Sequence, residues 1–183
     1  NIIHFQFDDK NNLWVETFEG HVSYLPAKYR FDETIDTDKW VSYGQFFVNF
    51  RSWKDVFFIT RSGAKFRSLA YDGFHAWTDD INKNIQYTSS NVITQDGAYF
   101  CPTDHYDFYE DSKGRVWASS GNGVYYFKSS DVGQHPLSVI RPKVPRNDGS
   151  GLADYLLDGI TVYQIREDAS GYKWMATASG LFK

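Results

Sequence analysis

The sequence predicts an all-β fold made of propeller-type blades. Two observations predict it. A short pattern centred on an aromatic residue recurs along the 183 residues, and each copy reads as strand, turn, strand, turn, strand. A three-stranded meander of that kind cannot bury both faces alone, so the copies must pack on one another, and radial repetition is the arrangement that keeps sheet edges short.

The three clearest copies occupy residues 2–22, 105–125 and 162–182, centred on Trp14, Trp117 and Trp174. An Asp stands six residues before each Trp, at Asp8, Asp111 and Asp168. A hydroxyl residue follows three later, at Thr17, Ser120 and Thr177, and a Gly six later, at Gly20, Gly123 and Gly180. A fourth, weaker copy places Phe57 at the anchor, with Thr60 and Gly63 at the following positions and Arg51 and Lys54 in its turn. The anchors then fall at 14, 57, 117 and 174.

Each element has a local reason. Residues eleven and nine before the anchor are Ile3 and Phe5, Phe46 and Val48, Tyr106 and Phe108, and Tyr163 and Ile165. Apolar residues two apart share one face of a strand. The polar runs DDKNN, EDSKG and EDASG follow. There Asp can bond the backbone two residues on, and Asn11, Gly114 or Gly171 tolerates a left-handed conformation. The second strand (LWVET, VWASS or KWMAT) is rich in aromatic and β-branched residues. The following Gly marks the turn into a third strand. Blades run about 40–50 residues, so the wider spacings imply insertions, visible in residues 68–91 and 141–159. The whole chain, 1–183, reads as a single repeat region.

The run Glu110-Asp111, Gly114, Val116-Trp117, Ser120, Gly123-Val124, and its counterpart Glu167-Asp168, Gly171, Trp174, Thr177, Gly180-Leu181, resemble the two-component regulator propeller repeat. Asp8-Asp9, Leu13-Trp14, Thr17 and Gly20 match with slips in the turn, and Glu16, Ser119 and Ala176 stand where that family often has Gly. The resemblance implies part of the extracytoplasmic sensory propeller of a hybrid two-component system, Bacteroidetes-like, whose input is often a glycan fragment. It therefore implies a periplasmic or extracellular location, with the parent protein anchored in the inner membrane. Asn1 inside a repeat and Lys183 within a last strand give the expectation of an excerpt, with a kinase elsewhere in the parent. The remaining blades of that parent, or a second copy, are the expected protein partners.

Composition narrows the partners further. The net charge is −4 and no basic run exists, which disfavours nucleic acid and anionic membranes. No apolar stretch approaches the ~20 residues of a membrane-spanning helix. A single cysteine, Cys101, excludes an internal disulfide framework.

Catalytic patterns are missing from the sequence: no zinc-protease, paired-cysteine, P-loop or nucleophile-elbow motif occurs. Cys101 and His105, four apart, would lie about 13 Å apart along a strand. A propeller lyase of streptogramin type would need histidines at matching repeat positions, and His4 and His105 stand ten and twelve before their anchors. The expectation is a binding domain with no cofactor and no metal. Aromatic residues make up 19% of the chain, and most suit packing between blades. Three tryptophans fall outside the anchor register, Trp40, Trp53 and Trp77, in polar, turn-rich surroundings where exposed rings would stack on sugar faces. With Tyr43 and His105 they form the candidate site for a small ligand, a carbohydrate for choice. On that reading Trp77→Ala would abolish binding while sparing stability. The alternative function is structural, an assembly propeller of a surface or secretion complex.

Overall fold

The computed structural model describes residues 1–45, 57–68 and 73–183. Every regular element among them is a strand or a short 3₁₀ turn. Blade one contains β1 (Ile2–Phe7), β2 (Leu13–Thr17), β3 (His21–Leu25) and β4 (Val41–Gln45), antiparallel in that order. Blade two contains β5 (Phe57–Ile59), β6 (Lys65–Ser68), β7 (Phe74–Trp77) and β8 (Ile85–Tyr87). After β9 (Val92–Thr94), blade three runs through β10 (His105–Glu110), β11 (Arg115–Ser120) and β12 (Gly123–Lys128). Next comes β13 (Leu137–Val139), which pairs with β9, and then a hairpin of β14 (Lys143–Pro145) and β15 (Ala153–Tyr155). Blade four contains β16 (Val162–Glu167), β17 (Lys173–Thr177) and β18 (Gly180–Phe182). The chain is all β, built of propeller blades.

The first strands of the blades converge. His4, Phe58, Asp107 and Arg166, from β1, β5, β10 and β16, border one cavity of about 240 Å³. That is where a propeller axis lies. Three of these strands, β1, β10 and β16, share an irregularity, since the register shifts between Ile2 and His4, His105 and Asp107, and Val162 and Gln164. The three bulges occupy the same repeat position. A bulge twists an inner strand and blunts its exposed edge.

The hydrogen-bonded turns correct the second repeat. Asp8, Asp111 and Asp168 each bond the residue four later, and so does Thr60 with Ala64. Thr60 and Gly63 thus occupy the Asp and Gly positions of the first turn, not the Thr and Gly after the anchor. Strand pairing agrees: Phe58 faces Phe66 as Gln6 faces Trp14, Tyr109 faces Trp117 and Arg166 faces Trp174. The anchor of blade two is Phe66, and Phe57 belongs to the inner strand. The anchors stand at 14, 66, 117 and 174, a more even spacing than the sequence reading gave. Phe46, Val48, Arg51 and Lys54 lie outside the described residues.

The corrected register explains the packing. Each anchor faces the next blade, and the residue nine before it faces the preceding one. Trp14 packs with Phe57 and Trp77. Phe66 packs with Phe108, their rings stacked 4.7 Å apart. Trp117 packs with Val162, Ile165 and Met175. The two terminal faces follow the same rule without a neighbour, so Phe5 is 65% exposed and Trp174 is 37% exposed. The first and last strands belong to separate sheets and do not pair.

The turn after the anchor uses its predicted chemistry. Ser120 and Thr177 donate to the carbonyls of Gly123 and Gly180, and the Thr17 hydroxyl accepts the His21 N–H. Gly123 has φ +79°, and a Cβ there would lie 2.8 Å from the Leu157 carbonyl oxygen.

Among the described residues no helix is long and apolar enough to cross a membrane.

Blade order predicts unequal costs for one substitution. Trp117→Ala should lower stability by ~3–5 kcal/mol, as for truncation of a buried aromatic. Trp174→Ala should cost well under half of that. Equal losses in urea unfolding would contradict this packing order.

Candidate functional site

The site grows from the Asp turn. In blade one, Asp8 Oδ1 accepts the N–H groups of Lys10 (3.0 Å) and Asn12 (2.8 Å). Its Oδ2 accepts the Trp14 indole N–H at 2.9 Å and the Asn12 amide at 2.9 Å. The same indole bond recurs at Asp111–Trp117 (2.9 Å) and Asp168–Trp174 (2.8 Å). Burial pushes the Asp8 carboxyl upward, but the bonds from Trp14 and Asn12 outweigh it and hold the group below its ordinary value. The Trp14 ring, fixed by this bond, stacks on Tyr24 at 4.8 Å and meets the edge of Tyr43 at 5.1 Å.

This aromatic wall borders a cleft of about 380 Å³ between blades one and two. Ile59 and Lys65 form the opposite side, and Asp9 and Asp79 stand at the rim. The Lys65 ammonium donates to the carbonyls of Gly63 and Thr78 and lies 6.0 Å from the Trp14 ring and 5.4 Å from Tyr43. Burial lowers the Lys65 pKa against the opposing pull of Asp79 and Asp8. The cleft opens beside the Asp8 turn of blade one and the Thr60 turn of blade two. Aromatic faces, carboxylates, an ammonium and backbone donors together suit a small polar ligand with an apolar face.

The residues singled out from sequence are dispersed. Tyr43 lines the cleft. Trp77 lies behind it, 3% exposed, with its indole N–H donated to the Tyr43 hydroxyl at 2.8 Å. Its expected role as an exposed stacking ring is corrected, because it ends β7 facing blade one. Trp77→Ala would remove a core side chain and cost stability. Trp40 is half-buried just ahead of β4 and does not line the cleft, and Trp53 lies outside the described residues.

His105 is also corrected as a ligand contact. It is fully buried between blades two and three, with Nε2 2.5 Å from the Tyr125 hydroxyl and its ring stacked on Phe108. Sequence reasoning missed Trp14 and Tyr24 as wall residues and Lys65 altogether. Lys65 directly precedes the anchor Phe66, as Lys173 directly precedes Trp174. That correspondence shows only once the register is right.

Solved structures share this fold of propeller blades. PorZ, an essential surface component of the type-IX secretion system of Porphyromonas gingivalis, superposes with a TM-score of 0.65 at 19% identity. The match covers 100% of this chain and 25% of PorZ. The extracellular domain of the putative hybrid two-component system BT4673 from B. thetaiotaomicron gives a TM-score of 0.53 at 14% identity, covering 96% of this chain and 22% of that one. YCF48 from Cyanidioschyzon merolae gives 0.52 at 15%, covering 99% and 49%. This chain thus spans about a quarter of the first two structures. No family model and no curated protein matches the sequence.

Burial of His105 gives a pH signature. Burial lowers its pKa to about 3, against smaller opposing effects from the Gly73 backbone and Asp104. The folded chain therefore keeps it neutral, while the unfolded chain binds a proton below about pH 6.5. Its contribution to stability is complete above pH 6.5 and is lost as pH falls toward 3, at up to ~1.4 kcal/mol per pH unit. The fall in stability from pH 6.5 to 4.5 should be shallower in His105→Gln than in the native chain. Parallel curves would contradict the assignment.

Proposed function

We propose that this chain is a ligand-binding part of an extracytoplasmic sensor of the two-component type, taking a carbohydrate or similar small molecule. On this reading it binds its ligand unchanged, needs no cofactor, and lies in the periplasm or outside the cell. The observation that carries the reading is the open cleft between blades one and two, where Trp14, Tyr24 and Tyr43 meet Lys65 and the acidic turn. Stacking on aromatic faces with polar groups at the edge is how proteins hold sugars and other amphipathic ligands. Support also comes from the sequence resemblance and from the shared fold of the BT4673 extracellular domain.

A second reading, an assembly propeller, is favoured by the likeness to PorZ and by the apolar terminal faces. Phe5 and Phe7 are exposed on one and Trp174 and Leu181 on the other. Exposed apolar surface of this kind marks interaction sites.

A thermal-shift screen of mono- to tetrasaccharides and small metabolites, followed by calorimetry, tests the first reading. A ligand should raise the melting temperature, and Tyr43→Ala should weaken it about tenfold or more, a change of ~1.4 kcal/mol. Trp40→Ala, outside the cleft, should leave affinity unchanged. Absence of any stabilising ligand, or equal affinity in Tyr43→Ala, would overturn the site.

A further inference from the structure

The cleft has a counterpart within the molecule, and the difference between them specifies a ligand. Blade one meets blade two as blade three meets blade four. In both junctions an Asp-bonded Trp packs on a Tyr with ring centres 4.8 Å apart, Trp14 stacked on Tyr24 and Trp117 tilted against Tyr126. In both, a lysine from the following blade, directly before its anchor, extends over that Trp. Lys65 lies 6.0 Å from the Trp14 ring, and Lys173 lies 5.8 Å from Trp117. Both lysines also donate to the carbonyl two residues earlier, Lys65 to Gly63 at 3.0 Å and Lys173 to Gly171 at 3.4 Å.

The third junction is filled by a carboxylate. Glu167 Oε1 lies 3.1 Å from Lys173 Nζ and accepts the Ser112 hydroxyl at 2.7 Å, and Oε2 accepts the Ser112 N–H at 2.6 Å. Ser112 directly follows Asp111, so its counterpart in blade one is Asp9. Glu167 stands seven before its anchor, and at that position blade two has Ile59. The middle junction also uses a carboxylate there: Glu110 Oε2 accepts the Ser62 N–H at 2.6 Å.

At the first junction that carboxylate is absent. The other turn N–H groups of blade one are bonded as in blade three, but the Asp9 N–H has no bond among the described residues. Among the described residues Lys65 forms no ion pair with a carboxylate and bonds carbonyls instead. The cleft lies between the Asp9 N–H and the Lys65 ammonium, which has carbonyl partners but no counter-ion.

We propose that the cleft between blades one and two takes the carboxylate of a small ligand, in the position that Glu167 fills between blades three and four. Lys65 supplies the counter-charge, the Asp9 N–H supplies a directed donor, and Trp14, Tyr24 and Tyr43 hold the ligand's apolar face. This rests on the ligand-binding reading of the same cleft and adds its chemical class. The rim carboxylates Asp9 and Asp79 are exposed and restrict how many anionic groups the site admits, favouring a ligand with one carboxylate. A sugar acid and an amino acid both supply that group, and the remainder of the ligand distinguishes them.

The test compares glucuronate, glucose and glutamate on the full chain by calorimetry and by amide NMR. Glucuronate should bind about tenfold or more tightly than glucose, the worth of one charge-assisted bond. Its addition should shift the Asp9 amide resonance. Lys65→Gln should erase the preference. Ile59→Glu, which installs the missing carboxylate, should fill the cleft and abolish glucuronate binding while leaving the fold intact by circular dichroism. If Ile59→Glu fails to fold, Lys65→Gln and the Asp9 shift still decide. Tighter glutamate than glucuronate binding with the same Lys65 dependence would support the carboxylate site and assign it to amino acids. Equal binding of glucose and glucuronate, with cleft resonances shifting for both, would overturn the carboxylate inference and leave the ligand site standing. Absence of any cleft shift with all three, while other small molecules from the screen bind there, would overturn the inference alone. If nothing binds there, both readings fall.

Discussion

A single hydrogen bond, from the anchor indole to the Asp six residues earlier, organises these blades. A buried indole N–H needs an acceptor, and leaving it without one costs ~1–3 kcal/mol. The Asp that serves it has already shaped the turn by accepting two backbone N–H groups, as Asp111 does from Lys113 and Arg115. One carboxylate therefore fixes the turn, the ring direction and the surface offered to the next blade. Blade two shows the converse. Its anchor Phe66 has no N–H, and the Asp position is held by Thr60, whose hydroxyl stays with the turn carbonyl of Ala64. Loss of the indole and loss of the carboxylate occur together.

The same pairing explains what could be read in advance. The three Asp–Trp copies are legible because two chemical requirements fix both residue types. The second copy was misplaced because Thr60 and Gly63 are three apart, the separation of the hydroxyl and Gly after a true anchor. Without an Asp or a Trp, nothing local distinguished the two turns. Phe57 was a plausible anchor by its neighbours, but strand pairing shows that it fills the position of Phe108 and Ile165.

The candidate site was less legible because polar neighbours do not reveal strand direction. Trp77 precedes Thr78, Asp79 and Asp80, yet its own side chain is turned inward at the end of β7. Tyr43 was identified for its aromatic character, but its place in the cleft depends on Trp14 beneath it. Burial of His105 follows from the bulge at the start of β10, which strict alternation along a strand does not anticipate. Sites between repeats depend on register, and an error of nine residues in one repeat conceals the lysine beside its anchor.

The seam between blades two and three differs from the other two. Phe58, Phe66, Phe74, Tyr87, Phe108, Tyr125 and Phe127 interleave there. Close-packed interiors have low compressibility and transmit strain instead of absorbing it. Blades two and three thus form a stiff block, flanked on one side by the first junction with its open, polar-lined cleft. Any change of angle at that junction would carry the block as one piece, so its far edge would be displaced most.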